Sequence, residues 1–250
     1  MISIADGVAL LGAGVVAGLV GTAGGIASMV SYPALLAVGI PALAANVANI
    51  VALVACWPGS ALASRPELEG KGRWLIRWTP LSAAGGAAGA ALLLSTPAGV
   101  FGRVVPFLLA AGSLALLLQP HLATRGGGRA HSRIILGGGL LAVSVYNGYF
   151  GAGAGVMILA LLLLTVDGHL ARANALKNML LGAATVVSAL ALAAFGPVEW
   201  SAVAPLGVGI FAGSTLGPRV ARRLPARLLR LLVALLGIGL AIELWLHPAS

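Results

Sequence analysis

Gly21-Thr22-Ala23-Gly24-Gly25 and, 127 residues later, Gly148-Tyr149-Phe150-Gly151-Ala152-Gly153-Ala154-Gly155 break two long apolar stretches at matching places. Each is followed by an apolar run and an asparagine motif: Ala45-Asn46-Val47-Ala48-Asn49 in the first half, Ala173-Asn174-Ala175-Leu176-Lys177-Asn178 in the second. Glycine-interrupted apolar segments in corresponding positions of two halves are a sequence pointer to a transporter's binding site.

Working outward, the chain has 250 residues, 60% of them hydrophobic and only 8% charged. That is too little polar surface to cover a soluble globule of this size, which predicts an all-α polytopic membrane protein. About 20 helical residues cross a hydrocarbon core of roughly 30 Å. Stretches of that kind run from Ala42 to Ala63, Leu75 to Ser95, Val104 to Gln119, Ala175 to Phe195, Val203 to Leu216 and Leu228 to Leu246. The broken stretches, Ile4 to Val38 and Ile134 to Val166, each have room for two short helices. Counted together these give about eight membrane segments, with six to ten open. The N-terminus has no basic region before its apolar run, so it reads as part of the mature protein rather than a signal peptide. The lone Cys56 excludes an internal disulfide and a Cys-x-x-Cys pair and reads as a small buried hydrophobe.

Net charge is +9, yet its placement matters more than its sum. Twelve of the fifteen Lys and Arg fall in three loops: Arg65, Lys71, Arg73 and Arg77; Arg125, Arg129 and Arg133; and Arg219, Arg222, Arg223, Arg227 and Arg230. The positive-inside rule makes all three cytoplasmic, with Trp74 and Trp78 as interfacial anchors. The basic character is therefore a topology signal and not a nucleic-acid footprint.

The second half can be laid on the first through the glycine break, the Ala-Asn pair and Pro80 with Gly85 and Gly89 against Pro205 with Gly209 and Gly213. The division is residues 1–120, a linker 121–133, and residues 134–250. The basic Arg65 to Arg77 loop corresponds to Gly196-Pro197-Val198-Glu199-Trp200, which has no Lys or Arg. The near-neutral turn at Ser95-Thr96-Pro97 corresponds to the basic Arg219 to Arg227. Equivalent loops thus face opposite sides, the pattern of two inverted-topology repeats that meet near the bilayer midplane. Both termini are then expected outside. Each broken stretch plus its Asn helix supplies either three short crossings or a re-entrant hairpin and one full helix.

Irregular backbone at membrane depth is tolerated where it lines a polar cavity. Helices restarting after Gly24-Gly25 and after Gly151 and Gly153 would aim free N–H groups and positive dipole ends at such a cavity, suiting an anion. Small-xxx-small helix packing explains Gly21 with Gly25, or Gly151 with Gly155, equally well. Asn46 and Asn49 share a helical face, as do Asn174, Lys177 and Asn178. Their amides suit an oxoanion that must bind and leave; capping a helix start or gluing helices together is the competing account. Lys177, ionisable within an apolar helix, is a functional candidate by default, with snorkelling to the interface as its rival. Tyr32, Tyr146 and Tyr149 flank the breaks and fit either cavity lining or interfacial packing.

Carboxylates lie at segment ends (Asp6, Asp167, Glu199, Glu243) or in a loop (Glu67, Glu69). None converge on mid-membrane as a cation carrier would need. The four histidines lie at edges or in loops, and no His-Glu-x-x-His motif occurs. Neither an enzyme nor a metal or cofactor protein is expected.

Gly18 to Gly25 with Pro33 and Leu35 to Pro41, Ala45-Asn46, Gly148 to Gly155, Ala173 to Asn178 and Phe101 to Leu109 together resemble the sulfite exporter TauE/SafE family of bacterial membrane permeases. The resemblance covers nearly the whole chain. It implies a secondary-type permease of the bacterial inner membrane, exporting sulfite or a small organosulfonate by alternating access and driven by an ion gradient, proton or sodium. It departs at Asn46-Val47-Ala48-Asn49, where Thr-Ser would be expected after the alanine. The expected partners are a small anion, the bilayer and that coupling ion; a homo-oligomer is open. The rival functions are a non-transporting scaffold or accessory subunit, and a carrier of a different small ion.

Overall fold

The computed structural model describes residues 2–124 and 133–221, with isolated positions between 235 and 246. Among the described residues every regular element is an α-helix: α1 (Ile4–Gly24), α2 (Ser28–Ala37), α3 (Ala42–Leu53), α4 (Cys56–Ala63), α5 (Arg65–Leu68), α6 (Gly72–Ser95), α7 (Ala98–Thr124), α8 (Arg133–Tyr149), α9 (Ala154–Thr165), α10 (Leu170–Phe195) and α11 (Trp200–Ala221). The chain is an all-α polytopic membrane protein. The α1 and α10 helices, and α3 with α4 taken together, are long and apolar enough to cross a bilayer. Large apolar side chains point outward, with Ile76 76% exposed, Ile134 86% and Phe195 81%. Asn46, Asn49, Lys177 and a set of serines are buried inside. Lipid accepts the first group and an enclosed interior must satisfy the second.

Both broken stretches hold two helices, as expected. In each, a longer helix is followed by a short one, α2 of 10 residues and α9 of 12. At about 1.5 Å per residue neither return leg reaches across roughly 30 Å of hydrocarbon, the length relation of a broken hairpin. Several boundaries differ from the sequence expectation: α6 begins at Gly72 rather than Leu75, α7 at Ala98 rather than Val104, and α11 runs Trp200–Ala221 rather than Val203 to Leu216. The α10 helix begins at Leu170 rather than Ala175, because the chain already turns helical after His169. The α7 helix continues to Thr124, four residues into the stretch read as linker. The Ala42 to Ala63 segment bends at Val54-Ala55 between α3 and α4. The remaining linker residues 125–132, the basic Arg222 to Arg230 and the Leu228 to Leu246 segment lie outside the described residues, apart from isolated positions in the last.

The halves exchange partners. The α1 helix of the first half lies along α11 of the second, and α8 lies along α6. By the sequence correspondence α8 matches α1 and α11 matches α6, so these are one contact made twice. Glycines permit it in both places. A methyl on Gly14, Gly18, Gly209 or Gly213 would strike the backbone of the facing helix, and so would one on Gly89, facing Val145 and Gly148. Helices that approach this closely pack through backbone van der Waals contact, the main attraction available in lipid.

Candidate anion site at the crossing of the two breaks

The two glycine breaks touch each other. Gly25 ends α1 in the left-handed region, with φ 75° and its N–H bonded to the Gly21 carbonyl at 2.8 Å. A Cβ built on it would lie 2.6 Å from the Cα of Gly155. Only glycine allows both that conformation and that approach. Opposite it, Gly153 (φ 80°) is the N-cap of α9, and a methyl there would lie 2.8 Å from the Cα of Gly112 on α7.

Breaking a helix at each point frees carbonyls, and the asparagine motifs cover them across the halves. Asn46 Nδ2 on α3 donates to the Tyr149 carbonyl at the end of α8, at 2.8 Å. Asn174 Nδ2 on α10 donates to the Thr22 carbonyl near the end of α1, at 3.0 Å, with Asn178 Nδ2 at 3.5 Å from the same oxygen. Thr22 and Tyr149 are matching positions of the two breaks, so the bond is reciprocal. The helix-start capping account fails for both motifs: the N-caps are Pro41 and His169, and neither start has a side-chain cap. The gluing account holds, and what is glued is a freed backbone carbonyl of the opposite half. Asn46 Oδ1, Asn174 Oδ1 and Asn49 Nδ2 remain buried without a partner, while Asn49 Oδ1 accepts from Ser31 Oγ.

Beside the crossing lies a cavity walled by Gly21, Gly25 and Ser28 of the first break, Cys56, Trp57 and Ser60 of α4, Gly151 and Gly155 of the second break, and Lys177 and Asn178 of α10, among others. It leaves about 80 Å³ open to the centre of a water-sized group, against about 10–15 Å³ for one water. That is room for one small oxoanion. Lys177 does not snorkel: it is 1% exposed, and its Nζ has no hydrogen-bond partner. An isolated buried ammonium costs several kcal/mol unless a counter-charge joins it. Ser28 and Gly155 stand in the first turns of α2 and α9, where the dipole is positive. The Met29, Val30, Ala154 and Val156 amides beside them already donate to the Ile26, Ala27, Gly151 and Gly153 carbonyls, while those of Ser28 and Gly155 have no backbone acceptor among the described residues.

Of the residues singled out in the sequence, Gly25, Gly151, Lys177 and Asn178 share the cavity wall. Gly24, Asn46, Asn49, Gly153 and Asn174 stand behind it, shaping the breaks. Sequence reasoning missed Ser28, Cys56, Ser60, Asn147 and Thr185. Ser28 and Asn147 could have been found as the polar residues closest to the breaks; Asn147 donates to Thr185 Oγ1 at 3.1 Å. None of the three tyrosines lines the cavity. Tyr146 Oη donates to the Ala152 carbonyl at 2.6 Å, tying down the second break. Tyr32 packs edge-on against Phe150 at 5.3 Å, and Tyr149 tilts against Phe101.

The model of the family described as "Sulfite exporter TauE/SafE" matches residues 8–244. The chain belongs to the TauE/SafE family. It is 29% identical over 240 residues to the probable membrane transporter protein ORF9 of Sinorhizobium sp, covering 93% of this chain and 90% of that protein. No solved structure matches. Membership of TauE/SafE makes the protein a membrane transporter.

Proposed function

We propose that this TauE/SafE protein exports a small oxoanion, sulfite or a compact organosulfonate, across the bacterial inner membrane by alternating access between two inverted repeats, residues 1–120 and 134–250, coupled to a proton or sodium gradient. The observation that carries the reading is the buried, unpartnered Lys177 ammonium in a cavity at the crossing of the breaks. The sum of local charge supports it. One lysine and two helix N-termini at about +0.5 each give roughly +2, enough to offset a dianion. The negative ends of α1 and α8 lie at the same breaks, and the Asn174 and Asn46 amides each cover one carbonyl there, those of Thr22 and Tyr149. The Ser28 and Gly155 N–H groups, without a backbone acceptor among the described residues, are then available to the anion.

The test is sulfite and sulfonate flux in proteoliposomes. Lys177→Met is expected to lower flux at least tenfold while leaving the unfolding temperature unchanged or higher, because a buried charge has been replaced by an apolar group of similar length. Wild-type flux no greater than that of empty liposomes across a panel of sulfur oxoanions overturns the proposal and leaves the scaffold reading.

A further inference from the structure

A second, larger cavity of about 360 Å³ lies between the starts of α6 and α8 and the end of α9; Arg73 and Arg77, read from the sequence as loop residues, stand on α6. It shares no lining residue with the anion cavity, and its size falls in the range of about 300–1,000 Å³ usual for ligand pockets. Lys71, Arg77 and Arg133 line it together with Trp74, Trp78 and Thr165. Lys71 is partly engaged, its Nζ 3.9 Å from Asp167 Oδ2. Asp167 is itself held by Arg172 at 3.1 Å. Neither Arg77 nor Arg133 has an acidic partner among the described residues, and residues 125–132 just before Arg133 contain arginines and no carboxylate. Two unneutralised guanidiniums with planar forks suit a phosphate oxygen pair.

The cavity's surroundings distinguish a lipid from a dissolved anion. The two indoles stand 6.2 Å apart in the position of an interfacial belt. On the outer faces of the same two helices Ile76, Ile134 and Ile135 are 76%, 86% and 58% exposed. A basic pocket thus runs directly onto a lipid-facing apolar surface, a juxtaposition a free phosphate would not use. We propose that this cavity holds the headgroup phosphate of an anionic phospholipid, gripped by Arg77 and Arg133, with its acyl chains along Ile76, Ile134 and Ile135. Basic pockets between membrane helices on the cytoplasmic side bind acidic headgroups by this chemistry. The inference needs only that the chain spans a membrane and is independent of what it transports.

Native mass spectrometry of the full chain, reconstituted with equal phosphatidylglycerol and phosphatidylcholine, reads the site directly. Wild type is expected to retain phosphatidylglycerol in at least tenfold preference. Arg77→Gln with Arg133→Gln is expected to lose about tenfold of that preference, while Arg73→Gln, on the same helix as Arg77 but outside the cavity, keeps it. If the glutamine pair does not fold, Arg77→Lys with Arg133→Lys carries the test, retaining a preference reduced severalfold. An equal loss in Arg73→Gln, or a lysine pair that binds both lipids alike, overturns the proposal. So does displacement of the lipid by inorganic phosphate as readily as by excess phosphatidylglycerol, which would make the cavity a free-anion site.

Discussion

Gly155→Ala adds one methyl group at the point where the halves cross, and the structure allows its effect to be worked out. Gly155 is helical, so no backbone strain enters. The new Cβ would meet Gly25 Cα and stand 2.6 Å from the Gly25 carbonyl oxygen and 2.9 Å from its carbon. Carbon atoms pack at about 3.5–4.0 Å, so the breaks would have to separate by about 1 Å. Gly25 cannot yield by itself, since its amide is bonded to Gly21 and its φ is 75°. Overpacking of this kind costs about 1–3 kcal/mol. Separation also stretches the Asn46 and Asn174 bonds to the opposite half, each worth about 0.5–1.5 kcal/mol. Alanine returns up to about 1 kcal/mol of helix propensity, leaving a net loss of about 2–3 kcal/mol. For a chain of this length that is a fall of roughly 5–10 °C in unfolding temperature. The assay is thermal unfolding in detergent beside Gly137→Ala, whose methyl would meet the Trp78 ring at 3.5 Å and Leu81 Cδ2 at 3.9 Å, both ordinary contacts, and which should be neutral or stabilising. A Gly155→Ala protein that melts within a degree of wild type refutes the contact and the crossing built on it.

Three further outcomes follow from the same geometry. Asn46→Ala should destabilise by about 1–3 kcal/mol, since it strands the part-buried Tyr149 carbonyl; Asn174→Ala should cost less, because Asn178 Nδ2 is already near the Thr22 carbonyl, and equal losses in denaturant titrations would contradict this. Alkylation of Cys56, which lines the anion cavity, should block flux and be slowed by a non-nucleophilic sulfonate; a Cys56→Ala protein inhibited to the same extent would locate the effect elsewhere. Burial pushes the Asp167 carboxyl up, but the His169 amide and ring, the Arg172 charge and Lys71 together hold it below its ordinary 3.8. Its contribution is therefore present above that value and lost as pH falls through the depressed native one. Asp167→Asn should flatten the acid limb of stability below about pH 4, by less than about 1 kcal/mol given its exposed partners, and an unchanged limb in acid melts would count against the cluster.

The glycine breaks, the paired asparagines and Lys177 were legible in the sequence because each is costly in an apolar helix unless something requires it. The partners of Asn46 and Asn174 were not legible. They lie 103 and 152 residues away and meet only because α1 packs on α11 and α8 on α6, an exchange that no local pattern encodes. Ser28 and Thr185 escaped notice for the opposite reason: small polar residues are common in membrane helices, where they bond to their own backbone, as Thr22 Oγ1 does to the Gly18 carbonyl. Cys56 reads as a small buried hydrophobe because nothing near it in the sequence marks a cavity. The α10 start was placed too late because Arg172 and His169 look like loop residues, although they group around Asp167 at the helix end.

The frame is close to symmetric while the chemistry is not, and one position concentrates the difference. Counting three residues on from the matching Asn46 and Asn174 leads to Asn49 in one half and Lys177 in the other. Both are buried. Asn49 is turned to Ser31 in its own half and stands outside the cavity wall, whereas Lys177 reaches the cavity without a partner. A lysine at both positions would bury two ammonium groups near one crossing, and their repulsion in a medium of low dielectric would exceed what one small anion could offset. A single lysine, with the N-termini of α2 and α9, supplies about the charge that one small oxoanion carries. The duplicated break therefore provides the enclosure and its donors twice, while the fixed positive charge enters once.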